Sequence, residues 1–326
     1  MGEATVKSFS GREFRVIWAV DPASDARLMK NSVRAIRAMT QGRRATISPV
    51  YFLSEFLDST PSQSVGDTLA LTHGKIRSAF EKQLGRSGLV GLKPLTVLTG
   101  VSLTRWRMML ELTDYASRHH ADVIVVATHG RTGIKRWFIG SFADAMMHES
   151  KVPLLIVNPH WEEASGFSNI LFPTDFSDVS KAAFLKVIEY SKAAGARVTL
   201  FHRIALTITP EMHLLVQRPS DYRRVRDQQV ADCRVRANDW AKEGDKRGVD
   251  VAIVVDASGL SSVADAVLKQ QRLSGGVIAL ASRSGEISTQ LLGRTTRALI
   301  QGTRSAVWVL HPAVKMEATS GFELAA

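Results

Sequence analysis

Short runs of consecutive apolar residues alternate along the chain with longer stretches in which apolar residues recur every three or four positions. The first pattern is typical of strands buried on both faces of a sheet, and the second of amphipathic helices. The pattern predicts ten strands, near residues 14–20, 46–53, 94–99, 122–127, 153–158, 168–173, 197–203, 249–255, 276–281 and 306–310. It predicts helices between them, at 23–40, 65–84, 102–119, 141–150, 177–194, 221–247, 260–271 and 290–302. This alternation indicates an α/β fold with right-handed crossovers and parallel sheets that carry helices on both faces.

The strand-like runs repeat along the chain at a nearly constant offset. Asp21 and Asp175, which close the first run of each half, are 154 residues apart, and the same offset separates the runs that begin at Asp122 and Gly276. Such a repeat indicates two copies of one domain in tandem. We therefore predict two doubly wound, five-stranded parallel-sheet domains, at 1–160 and 161–312. The small, polar residues 313–326 show no periodicity and are predicted to be a disordered tail.

Composition agrees with a two-domain soluble protein. The chain has 326 residues, which suits two domains of about 150, and 45% of them are hydrophobic and 22% charged. No apolar stretch approaches the roughly 18 residues that a membrane-spanning helix needs, so no membrane partner is expected. The single cysteine, Cys233, excludes an internal disulfide framework and a multi-cysteine zinc site. A reducing cytoplasm is the expected compartment.

The net charge of +11 permits binding to nucleic acids or to phosphorylated small molecules. The densest basic run lies between Arg223 and Lys246, where acidic residues are interleaved with the basic ones. That interleaving favours a solvated helix with ion pairs along its surface. Because no aromatic stacking platform or recognition motif accompanies the run, a nucleic-acid partner is not expected.

A glycine-containing segment follows the predicted strand that ends at Ala127. It contains Gly130 and Gly133, and Gly140-Ser141 opens the next predicted helix. Glycines allow backbone N–H groups to approach an anion closely, and a helix N-terminus adds free donors. The segment therefore predicts a phosphate-binding loop. It is neither a Walker A loop nor the Rossmann dinucleotide fingerprint, since neither spacing occurs here.

These residues carry a family resemblance. The stretch from Val123 to Val157 resembles the universal stress protein family, whose ATP-binding pattern is Gly-x2-Gly-x9-Gly-Ser/Thr. This sequence reads Ala127-x2-Gly130-x9-Gly140-Ser141, so the spacing is intact and alanine replaces the first glycine. Because the opening of the second half also resembles the family's first strand and turn, the chain is identified as a tandem universal stress protein.

The resemblance implies roles for individual residues. Asp21 matches the family's aspartate near the adenine and ribose, and Val50, taken as the end of the second strand, matches the residue whose backbone faces the adenine. The alanine at Ala127 adds a methyl group that narrows the path of the ribose and phosphates. The predicted ATP-binding set is completed by residues of the loop, namely Gly130, Arg131, Gly133, Gly140 and Ser141.

A purely structural interpretation stays open at this point. Asp21 would then only cap the turn that follows it, and the glycines would only make a tight connection. Arg131 either screens phosphate charge or is simply solvated.

The second copy of the site is degenerate. Its strand-like run ends at Ala281, the loop after it is one residue shorter, and on the adenine side Arg203 is aligned with Val50. Weak or absent nucleotide binding is expected in this half, with a purely structural role or a different anion as the alternatives. The residues predicted for this degenerate second site are Asp175, Ser284, Gly285, Gly293 and Arg294.

The resemblance implies a cytoplasmic regulatory protein of the stress response that binds ATP, with or without Mg²⁺, in its first domain. Two alternatives remain open. One is slow ATP hydrolysis at the same site, although no general base or dedicated magnesium carboxylate is evident beyond Asp21. The other is a nucleotide-free interaction scaffold. The protein partners are not predicted.

Members of the family pair through the last strand of each domain. Here that role falls to 153–158 and 306–310, and pairing them within one chain would make the polypeptide a pseudo-dimer. Association of two chains into a homodimer is left open by this analogy.

Overall fold

A computed structural model of the chain describes residues 12–21, 26–55, 65–84, 87–101, 105–127, 146–147, 150–161, 166–204, 219–258, 262–282 and 291–311. Within them, all ten predicted strands are present. They are β1 (Phe14–Ala19), β2 (Ala45–Glu55), β3 (Thr96–Val101), β4 (Val123–Ala127), β5 (Leu154–Val157), β6 (Asn169–Pro173), β7 (Arg197–Arg203), β8 (Val251–Asp256), β9 (Val277–Ala281) and β10 (Val307–Leu310).

Seven helices connect these strands in the described part of the chain. They are α1 (Ala26–Thr40), α2 (Val65–Leu84), α3 (Arg105–Arg118), α4 (Asp178–Ala194), α5 (Pro219–Asp245), α6 (Val263–Ser274) and α7 (Leu291–Gly302). Of the helix predicted at 141–150, residues 146 and 147 are helical and buried, and most of the remainder lies outside the described residues. The predicted tail also lies outside them.

The sheet of each half is parallel and doubly wound. The strand order is β3-β2-β1-β4-β5 in the first half and β8-β7-β6-β9-β10 in the second. Both orders reverse beside the first strand of the half, between β1 and β4 and between β6 and β9. Of the strands at these reversals, β4 and β9 are almost fully buried, which explains their continuous apolar sequences. The predicted α/β fold class is confirmed.

The two five-stranded sheets join into one sheet of ten strands. The pairing is antiparallel and lies between β5 and β10, with Leu155 level with Trp308. Here the chain itself makes the contact that was predicted between the last strands of its two halves. Helices on both faces cover the joined sheet, and each face carries a hydrophobic cluster that includes residues from both halves.

Tyr190 of α4 ties the second half to the first. Its side chain is fully buried and its hydroxyl donates a hydrogen bond of 2.9 Å to the carbonyl oxygen of Met39 in α1. The guanidinium of Arg43 lies 4.2 Å from the centre of the Tyr190 ring and donates to the Tyr190 carbonyl oxygen. Trp308 of β10 packs edge-on against the same ring. Burial raises the pKa of Tyr190, so the phenol stays protonated as the donor.

Asn158 fixes the joint that follows β5. Its side-chain amide donates to the carbonyl oxygen of Thr303, 2.7 Å away, and its Oδ1 accepts from the backbone N–H of His160. From α1, Asn31 donates to the carbonyl oxygen of Pro159 at 2.7 Å. These bonds satisfy backbone groups at the point where the chain passes from one half to the other.

We predict that Tyr190→Phe lowers the free energy of unfolding by about 1–2 kcal/mol, because it leaves the buried Met39 carbonyl without its donor while it preserves the ring contacts. Urea unfolding followed by circular dichroism measures the change. Tyr222→Phe on α5 is the control and is expected to leave the midpoint in place. Equal effects of the two substitutions would contradict the assigned role of the Tyr190 hydroxyl.

Candidate functional site

The strand order of the first sheet reverses between β1 and β4, and the carboxyl edge beside such a reversal is where open α/β sheets bind ligands. Asp21 follows the end of β1, and Ala127 is the last residue of β4. Trp18 is level with Val125, so Ala127 lies level with Val20, next to Asp21. The two predicted site residues therefore come together at the reversal.

Asp21 gives this edge a negative charge. The neighbouring Tyr51 of β2 has a raised pKa, first because it is partly buried and second because the Asp21 carboxylate disfavours a phenolate nearby. Tyr51 therefore stays a neutral phenol at physiological pH. At this edge the Asp21 carboxylate can accept hydrogen bonds, and the Tyr51 hydroxyl can donate or accept them.

Val50 is not at the end of the second strand, contrary to the sequence expectation. β2 continues to Glu55, the Val50 side chain is buried in the core, and its carbonyl oxygen accepts a hydrogen bond from Val20 at 2.9 Å. The outer strands β2 and β3 extend past the end of β1, and Phe52 pairs with Leu98 in this extension. These two half-buried apolar residues follow Val50 on the same face of the sheet.

The register also corrects the alignment of the two halves. Ala19 is level with Val50, whereas Pro173, which lies 154 residues after Ala19, is level with Phe201. Phe201 is therefore the counterpart of Val50, and Arg203 is the counterpart of Phe52. The alignment of Arg203 with Val50 was wrong because the segment between the first two strands is three residues shorter in the second half, so one offset cannot hold across it.

Asp175 occupies the position of Asp21 in the second half, and its carboxylate is used locally. Oδ1 accepts hydrogen bonds from the Ser177 backbone N–H at 3.0 Å and from the hydroxyls of Ser177 and Ser180, each at 2.6 Å. Ser177 also caps α4. Burial alone would raise the pKa of Asp175, but these donors outweigh it and lower the pKa.

An ion pair lies beside Asp175 at this edge. Arg203 of β7 donates to the carboxylate of Asp256 in β8 over 2.5 Å, and the Arg203 side chain is only 5% exposed. The Ser258 backbone N–H also donates to Asp256. Burial raises the pKa of Asp256, but the Ser258 hydrogen bonds and the charge of Arg203 lower it overall. The carboxyl edge of the second sheet thus holds an ion pair at the position where the carboxyl edge of the first sheet holds Phe52 and Leu98.

No side-chain position is described for the remaining predicted residues. Outside the described residues lie the first-domain loop residues Gly130, Arg131, Gly133, Gly140 and Ser141, together with Ser284 and Gly285 of the second loop. Gly293 and Arg294 lie in the first turn of α7. Their roles stay predictions.

Sequence reasoning missed Phe52, Leu98 and Asp256. The available signal was the length of β2, whose apolar run continues through Phe52 and Leu53 beyond the assigned site residue. Phe52 can be matched with Arg203 only from the pairing of β2 with β1 and of β7 with β6, and that pairing is known only from the structure.

The sequence model of the Universal stress protein family matches residues 15–158 and again residues 166–311, which together make up most of the chain. The chain belongs to the universal stress protein family. A curated relative, universal stress protein MJ0531 of Methanocaldococcus jannaschii, is 36% identical over 47 residues, which are 14% of this chain and 28% of that protein. The chain thus matches less than a third of the length of this relative.

Solved structures share the fold. A universal stress protein from Archaeoglobus fulgidus matches 92% of this chain and 98% of its own, with 16% identity and a TM-score of 0.63. A universal stress protein from the same organism, solved in complex with dAMP, matches 45% of this chain and 98% of its own at 12% identity, with a TM-score of 0.31. The first match extends over both halves of the present chain. Among the helices of the described residues, none combines the length and the hydropathy that a membrane span requires.

We predict that Ser180→Ala raises the pKa of Asp175, because the carboxylate loses a hydroxyl donor at 2.6 Å. A carboxyl-detected NMR titration measures the pKa directly. In the wild type, the stabilisation from this carboxylate is complete above the unfolded-state pKa and is lost as the pH falls through the lowered folded-state value. Ser191→Ala in the same helix is the control. An unchanged Asp175 pKa in Ser180→Ala would show that the other donors suffice.

Proposed function

We propose that this universal stress protein binds one adenine nucleotide at the carboxyl edge of its first domain and acts as a regulatory protein rather than as an efficient enzyme. The observation that carries the proposal is the position of Asp21 beside Ala127, at the reversal of strand order between β1 and β4. A carboxylate there suits the hydroxyl groups of a ribose, because it accepts charge-assisted hydrogen bonds.

The loop after β4 supports the choice of a nucleotide over an uncharged ligand. Its sequence keeps the family's spacing from Ala127 through Gly130 to Gly140 and Ser141. Glycines followed by a predicted helix N-terminus suit the phosphates, since backbone N–H groups can approach the anion. ATP fits both the carboxylate and the loop, and Mg²⁺ would accompany its phosphates.

The second domain is proposed to bind no nucleotide or to bind it weakly. The Oδ1 atom of Asp175 already accepts three hydrogen bonds, and Arg203 and Asp256 are paired at the same edge. A ribose would have to compete with serine donors that are held in place by the start of α4. The expected stoichiometry is therefore one nucleotide per chain.

The regulatory role is part of this proposal and rests on the family resemblance. A nucleotide bound at this edge would change the surface offered to protein partners through a shift in populations. The location of the protein in the cytoplasm is part of this proposal.

We predict that Asp21→Ala weakens ATP binding by roughly tenfold or more, because a hydrogen bond to a charged group is lost. Isothermal titration calorimetry measures the affinity and the stoichiometry. The matched control is Asp175→Ala, which removes the equivalent aspartate of the second domain and is expected to leave both values unchanged. Absence of binding by the wild type at millimolar ATP would contradict the proposal and favour a nucleotide-free scaffold.

A further inference from the structure

Helix α1 carries a row of basic side chains on its solvent-facing side. Arg27, Lys30 and Arg37 are exposed, and Arg34 is half-buried. Successive members of the row are three or four residues apart, so they lie one above the other along one side of the helix. At a rise of about 1.5 Å per residue, the row is about 15 Å long. We call these four side chains the α1 ridge.

No carboxylate of α1 offsets the charge of the ridge. The helix contains neither Asp nor Glu, and neighbouring members of the ridge are cations at spacings of three or four residues, which repel each other. Arg27 also lies in the first turn, where the positive end of the helix dipole disfavours a cation. The local electrostatics of the ridge are therefore unfavourable, and a bound anion would relieve the repulsion.

The positive region continues past the start of α1 to the joint between the halves. Asn31 donates a hydrogen bond of 2.7 Å to the carbonyl oxygen of Pro159, which brings the exposed His160 close to the helix. Burial and, after it, the charges of Arg27 and Arg304 lower the pKa of His160. Arg304 belongs to the second half, so the region includes basic groups from both sides of the joint.

The neighbouring helix α2 has an excess of the same charge. It packs against α1, and its described exposed charges are Lys75, Arg77, Glu81 and Lys82. A partner that lies along the α1 ridge therefore meets a positive potential from α2 as well.

The equivalent helices of the second half balance their own charge. Helix α4, which like α1 follows the first strand of its half, carries three lysines and two carboxylates. Helix α5, the counterpart of α2, has equal numbers of basic and acidic residues, and Lys242 pairs with Asp239 at 2.9 Å. The same positions in the fold can thus be built with little excess charge, so the fold does not require the α1 ridge.

The surroundings of the ridge favour an acidic helix as its partner. The large exposed apolar side chains of the described residues lie outside α1 and α2, so neither helix offers one that could enter a bilayer or stack on bases. Because α1 is buried along one side from Leu28 to Met39, it cannot enter a groove of duplex DNA. Carboxylates three and four residues apart on a partner helix repeat at the intervals of the ridge, and arginine can bind a carboxylate with two hydrogen bonds.

We infer that the α1 ridge docks an acidic helical segment of a partner protein, whose carboxylates lie at positions i, i+3, i+7 and i+10. This inference goes beyond the proposed function, because it assigns a second binding surface that does not require a bound nucleotide.

The test uses a fluorescently labelled, alanine-based helical peptide with glutamates at those four positions. Fluorescence anisotropy with the full chain measures its affinity. The double variant Arg27→Gln/Lys30→Gln removes two exposed charges of the ridge, and we expect it to bind the peptide roughly threefold to thirtyfold more weakly. Added salt is expected to weaken binding by the wild type. The matched control, Arg223→Gln/Arg224→Gln, removes two exposed charges from α5 and is expected to leave the affinity unchanged.

The other outcomes contradict the inference. Equal losses in the two double variants would show an effect of net charge alone. Absence of peptide binding by the wild type would overturn the inference, and so would equal binding of a peptide whose four glutamates are consecutive. Tighter binding of a duplex oligonucleotide or of phosphatidylserine vesicles, lost in the ridge variant, would assign the ridge to another class of partner. Where circular dichroism finds the ridge variant unfolded, Lys30→Gln alone decides, and unchanged affinity in it would overturn the inference.

Discussion

The antiparallel pairing of β5 with β10 is the contact on which the arrangement of the molecule depends. Without it, each half would expose the backbone groups of a buried apolar strand at the edge of its sheet, which invites association with other chains. With it, ten strands form one sheet, and the hydrophobic clusters on both faces extend across the joint. Tyr190 and Asn158 then add hydrogen bonds between the halves, so the two domains are held in one relative orientation.

The same topology produces two equivalent edges with different chemistry. Each domain reverses its strand order beside its first strand, and an aspartate follows that strand in both cases. In the second domain the aspartate is engaged by serine donors, and a buried ion pair lies next to it. In the first domain the neighbouring outer-strand residues are apolar. The two halves thus share their strand topology, while the side chains beside the two strand reversals differ.

Much of the fold could be predicted from the sequence because burial on both faces leaves a continuous apolar run in the central strands, as in β4, β5, β9 and β10. The repeat offset of 154 residues brought Asp21 and Asp175 into correspondence, and the structure agrees. The pairing of the second strands could not be predicted in this way. Register depends on which backbone groups meet across two strands, and a three-residue difference in the preceding segment shifts it without disturbing the apolar pattern. That shift concealed the equivalence of Phe52 and Arg203.

We propose that this chain binds one adenine nucleotide, at the carboxyl edge of its first domain. Photo-crosslinking with an azido-adenine nucleotide, followed by peptide mapping, tests this claim most directly. We predict that the label falls in residues 45–55 and 96–101, that excess ATP competes it away, and that each chain carries one label. Label concentrated in residues 197–203 and 251–256 of the second domain would contradict it.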